Sequence, residues 1–447
     1  MCTSIGRSVE RGYEMDPALV GILGFVTLFL LVFAGMPIAF SMALVGFVGF
    51  SLIGGMTAAL SILSNVPYST VAYYIIGVIP AFLLMGEFAL VSGIITEAYD
   101  ATNKWLGHLP GGLAMATIVG CAGFAACCGS SVACAAVMVP VAFPEMTRYK
   151  YAPKLALGSI AAGGTLGILI PPSTPLVVYG LLSEQSIGRL FIAGIVPGIL
   201  LALFFALTIY IQTLITPQLG PRASRTGWRE RIVSAKGIWL IGVLVIVVLG
   251  GMWGGVFTPG EAGGIGALGA FLIALGKRRL TMANVAQALN KTVRTTAMIC
   301  TVMIGAMIFS TFLAVTQLPV MLADFVSGLH LPPIIILITI LCLYIVLGCV
   351  MDVLAMVVLT LPVLLPTVAN LGFDLIWFGV LVTIMTELAL ITPPIGINVF
   401  VISGMAKEVP MYTIFRGVLP FIVAMILYVV LIVAFPQISL FLPNAMR

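Results

Sequence analysis

Charged side chains are scarce in this sequence. Lys, Arg, Asp and Glu make up 8% of its 447 residues, about a third of the roughly 25% usual in soluble domains, which excludes a surface hydrated on every side. Catalytic signatures are missing too. Two histidines and no HExxH, P-loop or nucleophile elbow remove the common metalloprotease, nucleotide-hydrolysing and serine-hydrolase classes, so no enzyme is expected. Without a nucleotide site, work must draw on an ion gradient or on another subunit. The eight cysteines show no metal-ligand spacing. Cys127 and Cys128 are adjacent and most others stand alone in apolar runs, as buried small residues do. A net charge of +5 gives no nucleic-acid signal, because the bases lie in short loops.

What the chain has instead is hydrocarbon. Hydrophobic residues reach 61% and the mean hydropathy is +1.23. Stretches long enough to cross roughly 30 Å of lipid recur along the whole length, so the fold class is an all-α polytopic membrane protein. The 48 glycines and 26 prolines suit membrane helices that pack closely or break. Residues 1–17 are polar and mixed in charge, expected as an N-terminal tail, with Met15 an alternative start. The apolar run after them lacks a cleavage site and reads as a membrane helix, not a signal peptide.

The chain also repeats itself. Pro171-Pro172 returns as Pro393-Pro394, an offset of 222 residues (393 minus 171), which also pairs Pro37 with Pro259, Pro110 with Pro332, Pro140 with Pro362 and Pro144 with Pro366. Composition alone gives roughly one such coincidence, so six argue for duplication. The only two histidines, His108 and His330, pair as well; both read as helix-end residues. Duplicated halves with broken apolar helices mark secondary transporters, whose sites lie near the breaks.

The first repeat is expected over 18–216. It holds helices near 18–36, 38–55 and 72–97, an amphipathic segment at 57–71, a hairpin at 111–146, a broken helix at 155–182 and a last helix at 190–215. A basic cytoplasmic linker, 217–237, leads to the second repeat over 238–437. There the helices lie near 238–256, 260–276, 295–316 and 417–436, with an amphipathic segment at 280–294, a hairpin at 333–368 and a broken helix at 374–404. A C-terminal tail occupies 438–447. The amphipathic segments read as interfacial braces or as plain connecting loops. Each hairpin arm is about 16 residues, roughly 24 Å of helix, which fits a re-entrant hairpin; two short crossings are the alternative.

Five crossings per repeat invert the second half. Placing the N-terminus outside leaves Arg7, Arg11, Arg189 and Arg447 there and the other 16 of the 20 bases inside, as the positive-inside rule requires. Trp105, Trp228, Trp239 and Trp377 fall near expected interfaces.

A proline lacks an amide hydrogen and crowds the carbonyl four residues back. The pairs therefore free the carbonyls of Gly167 and Ile168, and of Ala389 and Leu390, as hard ligands suited to Na⁺. Beyond each break a new half-helix offers amides: Ser173 and Thr174 follow the first, Gly396, Ile397 and Asn398 the second. The hairpin tips, Cys128-Gly129-Ser130-Ser131 and Gly348 to Asp352, complete each site. Ser130 corresponds to Asp352, which reads either as a cation ligand or as a cap for tip amides. Thr386 and Glu387 form another intramembrane polar spot, and Glu387 could carry a proton, assist a cation or bond within the bundle. Glu87, Glu97 and Glu261 read as structural.

The segments GGLAMATIVGCAGFAACCGSSVACAA, LGILIPPSTPLVVYG and ELALITPPIGINVFVISG resemble the large membrane subunit of tripartite ATP-independent periplasmic (TRAP) transporters, over nearly the whole chain from about residue 18. The resemblance implies a Na⁺-driven importer of organic acids in the bacterial inner membrane, of the ion transporter superfamily. It implies a scaffold plus a transport domain moving as an elevator, and two partners: a small four-helix membrane subunit and a periplasmic binding protein that delivers substrate. Na⁺ is the coupling ion, with no cofactor. Gly129, Ser130, Gly167 and Pro171, and Gly348, Asp352, Thr392, Pro393 and Gly396, fall on the ion-binding regions. Ser130, Ser131, Ser173, Thr174 and Asn398 fall where substrate is expected. Two readings compete: a self-sufficient Na⁺- or H⁺-coupled anion transporter of the same superfamily, and a channel or structural membrane subunit.

Overall fold

The computed structural model describes residues 16–223, 226–329 and 331–446. The expected tail up to residue 15, His330 and the bases Arg7, Arg11, Arg225 and Arg447 lie outside the described residues. Within them the chain is helical and has no strand. Among the described residues, eight helical stretches are long and apolar enough to cross a bilayer. Their outward faces are greasy: Leu30, Leu207, Ile246 and Val430 are all exposed, the inverse of a soluble surface. The protein is a multi-pass membrane protein.

Two pairs of arms and two interrupted helices form where proline and glycine dictate. The first hairpin comprises Gly112–Cys128 and Ser131–Arg148, the second Pro333–Gly348 and Val353–Asn370. Pro153–Leu169 stops at the first proline pair and the chain restarts as Thr174–Ser183; Leu375–Ile391 stops before the second and restarts as Ile397–Met405. Both Pro–Pro bonds are cis. Pro153–Leu169 and Leu375–Ile391 are buried almost throughout, as helices apolar on every side must be.

Several elements differ from their expected bounds. The segments 280–294 and 295–316 form one helix, Met282–Thr316, because nothing between them breaks helix geometry; the charges there only suggest a boundary. Helix Trp228–Val245 starts inside the expected linker, and Gln437–Asn444 is helical within the expected C-terminal tail. The helix expected near 72–97 is interrupted at Gly93, whose φ of 71° is a left-handed value that glycine adopts at little cost. Trp377 is no interfacial anchor: it is buried and its indole donates to the Ile432 carbonyl at 3.1 Å. Trp105, Trp228 and Trp239 are exposed.

The described residues form two compact units, and each draws on both halves of the sequence. One contains the residues up to Tyr73, Met298–Leu331 and Val358–Leu371; the other contains Tyr74–Ala297, Pro332–Val357 and Gly372–Arg447. In the first unit, Phe309 meets Phe25 edge-on at 5.3 Å and Phe312 at 5.9 Å. A Cβ at Gly46 would stand 2.8 Å from the Phe309 backbone, so a small residue lets the helices close up. The second unit contains both hairpin tips and both breaks. Ion pairs Glu97–Lys277 and Glu87–Lys291 tie its helices together, Glu261 closes a capping box with Thr258, and His108 Nδ1 lies 3.2 Å from the Arg231 guanidinium.

Phe309→Ala removes a fully buried ring, a loss of about 3–5 kcal/mol. The detergent-solubilised variant is expected to unfold several degrees below the parent; an unchanged melting curve would contradict this packing.

Candidate functional site

Each hairpin tip closes on the break in its own half. Gly129 has a φ of 64°, and a Cβ there would stand 2.9 Å from the Pro172 carbonyl oxygen. Only glycine allows this turn and this approach together. A Cβ at Gly167 would meet the Ser130 carbonyl oxygen at 2.7 Å. The Thr174 hydroxyl donates to the Gly129 carbonyl at 3.3 Å. In the second half, Gly348 packs on Ala389, and the Cys349 thiol points to the Pro393 carbonyl at 3.9 Å.

Positions 130 and 352, separated by the 222-residue offset, each stand just before a helix start. Ser130 is the N-cap of Ser131–Arg148, its hydroxyl accepting from the Ala133 amide at 3.4 Å. Asp352 stands immediately before Val353–Asn370, the position a capping residue takes. The Ser130 side chain satisfies an amide that a helix start leaves open. Ser173 does the same for Thr174–Ser183, accepting from Leu176 at 3.3 Å. Gly396, with a φ of 53°, precedes Ile397–Met405.

One expected feature of the second break changes. The Ala389 carbonyl accepts the Thr392 amide at 3.2 Å, because the chain tightens into an i to i+3 bond before the prolines, and so it is not free. The hydroxyls of Thr386 and Thr392 turn back onto their own helix, to Thr383 at 2.8 Å and Leu388 at 2.6 Å.

A polar cluster joins the halves. The Ser131 hydroxyl lies 2.8 Å from Glu387 Oε2 and 3.0 Å from the Gly164 carbonyl, and it accepts from Asn398 Nδ2 at 2.9 Å. Glu387 and Asn398 are fully buried and Ser131 nearly so. One hydroxyl hydrogen thus faces two acceptors. Glu387 Oε1 and Asn398 Oδ1 have no hydrogen-bond partner among the described residues. The cluster is rich in oxygen and short of hydrogen, which fits a small cation. Its positions have no polar duplicate for serine or asparagine: Ser131 corresponds to Val353 and Asn398 to Leu176, while Glu387 corresponds to Thr165.

Two cavities flank the first tip. One, about 10 Å³, is lined by Cys128, Gly129, Pro172, Ser173 and Thr174 among others, room for about one water or ion. The other, about 260 Å³, is lined by Glu87, Cys128, Ser130, Lys291, Thr292 and Thr295 together with apolar residues. Sequence alone gives Lys291 no role at a site and places Glu87 near a helix end. Their 204-residue separation leaves no local signal of the pairing. An acid and a base within long apolar helices is the one trace from which it could be found.

Comparison with known proteins bears on this arrangement. The family model described as "Tripartite ATP-independent periplasmic transporter, DctM component" matches residues 25–438. The C4-dicarboxylate TRAP transporter large permease protein of Pseudomonas aeruginosa is 35% identical, covering 87% of this chain and 93% of the relative. The sialic acid TRAP large permease protein of Vibrio cholerae is 33% identical over 93% and 96%. The isethionate TRAP permease DctMQ of Oleidesulfovibrio alaskensis is 32% identical over 99% of this chain and 68% of its own length. Among solved structures, the Alcanivorax borkumensis YdaH transporter superposes with a TM-score of 0.62 at 17% identity, covering 95% and 98% of the two chains, a likeness of fold alone.

Ser131→Ala orphans the Asn398 amide inside the protein and is expected to cost about 1–3 kcal/mol. Combined with Glu387→Gln, the two losses should depart from additivity by more than about 0.5 kcal/mol, since the side chains share one network. Chemical unfolding of the four proteins in detergent measures this; strictly additive losses would mean the contacts are not energetically joined.

Proposed function

The chain belongs to the DctM family of tripartite ATP-independent periplasmic transporters as a large permease subunit, and on that premise we propose that it imports a small organic anion across the bacterial inner membrane, driven by Na⁺. The observation that carries this reading is the pair of interrupted helices, each closed by a hairpin tip, around the hydrogen-poor cluster of Ser131, Glu387 and Asn398. Unwound backbone at membrane depth supplies carbonyls for a cation, and half-helix starts supply amides for an anion.

In this proposal Na⁺ binds at the first tip through carbonyls of Gly129, Gly167 and Pro171, beside the ion-sized cavity, with Ser130 at its edge. At the second it binds among Gly348, Thr392, Pro393 and Gly396, with the Asp352 carboxylate at the tip. Glu387 Oε1 and Asn398 Oδ1 offer further ligand oxygens between them, with Thr386 packed alongside. Ser130, Ser131, Ser173 and Thr174 frame the anion side. The two halves insert with opposite orientation, N-terminus periplasmic, and the tip-bearing elements move as an elevator. A periplasmic binding protein delivers the anion, and a small membrane subunit accompanies this chain. The relatives' names specify C4-dicarboxylate, sialic acid and isethionate, all anions, which supports the substrate class.

Reconstitution of the chain with its small subunit in liposomes, with a Na⁺ gradient and the binding protein added outside, is expected to give anion uptake. Replacing Na⁺ by K⁺, or omitting the binding protein, should abolish it. Uptake by the chain alone would instead favour a self-sufficient transporter, and uptake indifferent to Na⁺ would refute the coupling.

A further inference from the structure

We propose that Lys291 is the cationic hydrogen-bond donor to the transported anion, held in place by Glu87 in the cavity beside the first hairpin tip; this rests on the transport reading above. Four observations carry it. The cavity of about 260 Å³ falls just below the roughly 300–1,000 Å³ typical of drug-sized ligand pockets, which suits a compact metabolite. Its charged lining residues are Lys291 and Glu87, whose Nζ and Oε2 lie 3.2 Å apart. The pair is therefore neutral overall, and two of the three ammonium hydrogens remain for other acceptors. Thr292 also lines the cavity, is 6% exposed, and its hydroxyl has no partner among the described residues, a buried polar group that a ligand oxygen would satisfy. Ser130 completes the set: its oxygen caps the hairpin arm, which leaves its hydroxyl hydrogen for a carboxylate or sulfonate.

The pairing explains why an anion site contains an acid. The ion pair with Glu87 holds the ammonium at the cavity wall while no anion is bound. An arriving anion accepts hydrogen bonds from Lys291, Thr292 and Ser130 without Lys291 leaving Glu87, because an ammonium can bridge two acceptors. The site then takes a single compact anionic group at the tip, and the rest of the molecule lies against Leu83, Leu90 and Phe124.

Cys128 lines the same cavity and reports on its potential. The full chain in native membranes is treated with an anionic or a cationic methanethiosulfonate reagent, and modification of the Cys128 peptide is followed by mass spectrometry. Lys291→Gln is expected to lower the anionic-to-cationic rate ratio by about fivefold, and Glu87→Gln to raise it by a similar factor. In the liposome assay, Lys291→Gln should raise KM for the anion at least about tenfold with a smaller change in kcat, while Lys291→Arg stays within about threefold. A Cys reporter at Ala133, also on the cavity wall, repeats the measurement should Cys128 react poorly. Reagent ratios that ignore Lys291, or a KM unchanged in Lys291→Gln, overturn the assignment. The labelling needs neither Na⁺ nor the binding protein, so a chain that fails to transport still tests the charge of the cavity.

Discussion

Backbone that leaves helix geometry inside a bilayer can send its hydrogen bonds only to other protein atoms, and the second unit is arranged around that constraint. Each proline pair removes two amide hydrogens and stops a buried helix. Each resulting gap is closed by a hairpin tip whose glycine permits contact at backbone distance: Gly129 and Gly167 at the first break, Gly348 at the second. The hydroxyls of Ser130 and Ser173 cap the helices that start beside the breaks. Disruption is thus confined to a few residues, and the helices around it remain regular. Between the breaks two side-chain oxygens, Glu387 Oε1 and Asn398 Oδ1, are buried with no hydrogen-bond partner among the described residues.

Much of this is legible in the amino-acid order. The proline pairs set the ends of both broken helices to within a few residues, and Gly-Ser and Gly-Cys turns between short apolar arms mark the tips. Spacing and hydrophobicity are local properties, and these features are local. The cluster of Ser131, Glu387 and Asn398 is legible only as three separate polar residues, since the contacts span 256 and 267 positions and no periodicity reports so distant a pairing. The long helix Met282–Thr316 divides wrongly on sequence for a related reason. Its charges resemble an interfacial segment, yet charge does not interrupt a helix that contains no proline or glycine until Gly305.

The duplication supplies a frame without dictating chemistry. Breaks and tips recur at the 222-residue offset (393 minus 171), whereas the serine and asparagine of the polar cluster face valine and leucine at the corresponding positions. One half therefore brings the acid and the amide, and the other brings the hydroxyl that holds them. Corresponding breaks and tips thus keep similar backbone architecture while differing in the side chains around them.

The two cavities at the first tip have Leu83 and Cys128 in common. Were occupants of the two to influence each other through that thin partition, the effect would be returned by the same factor in both directions. The reciprocity would need no long wire through the protein, only the width of two side chains.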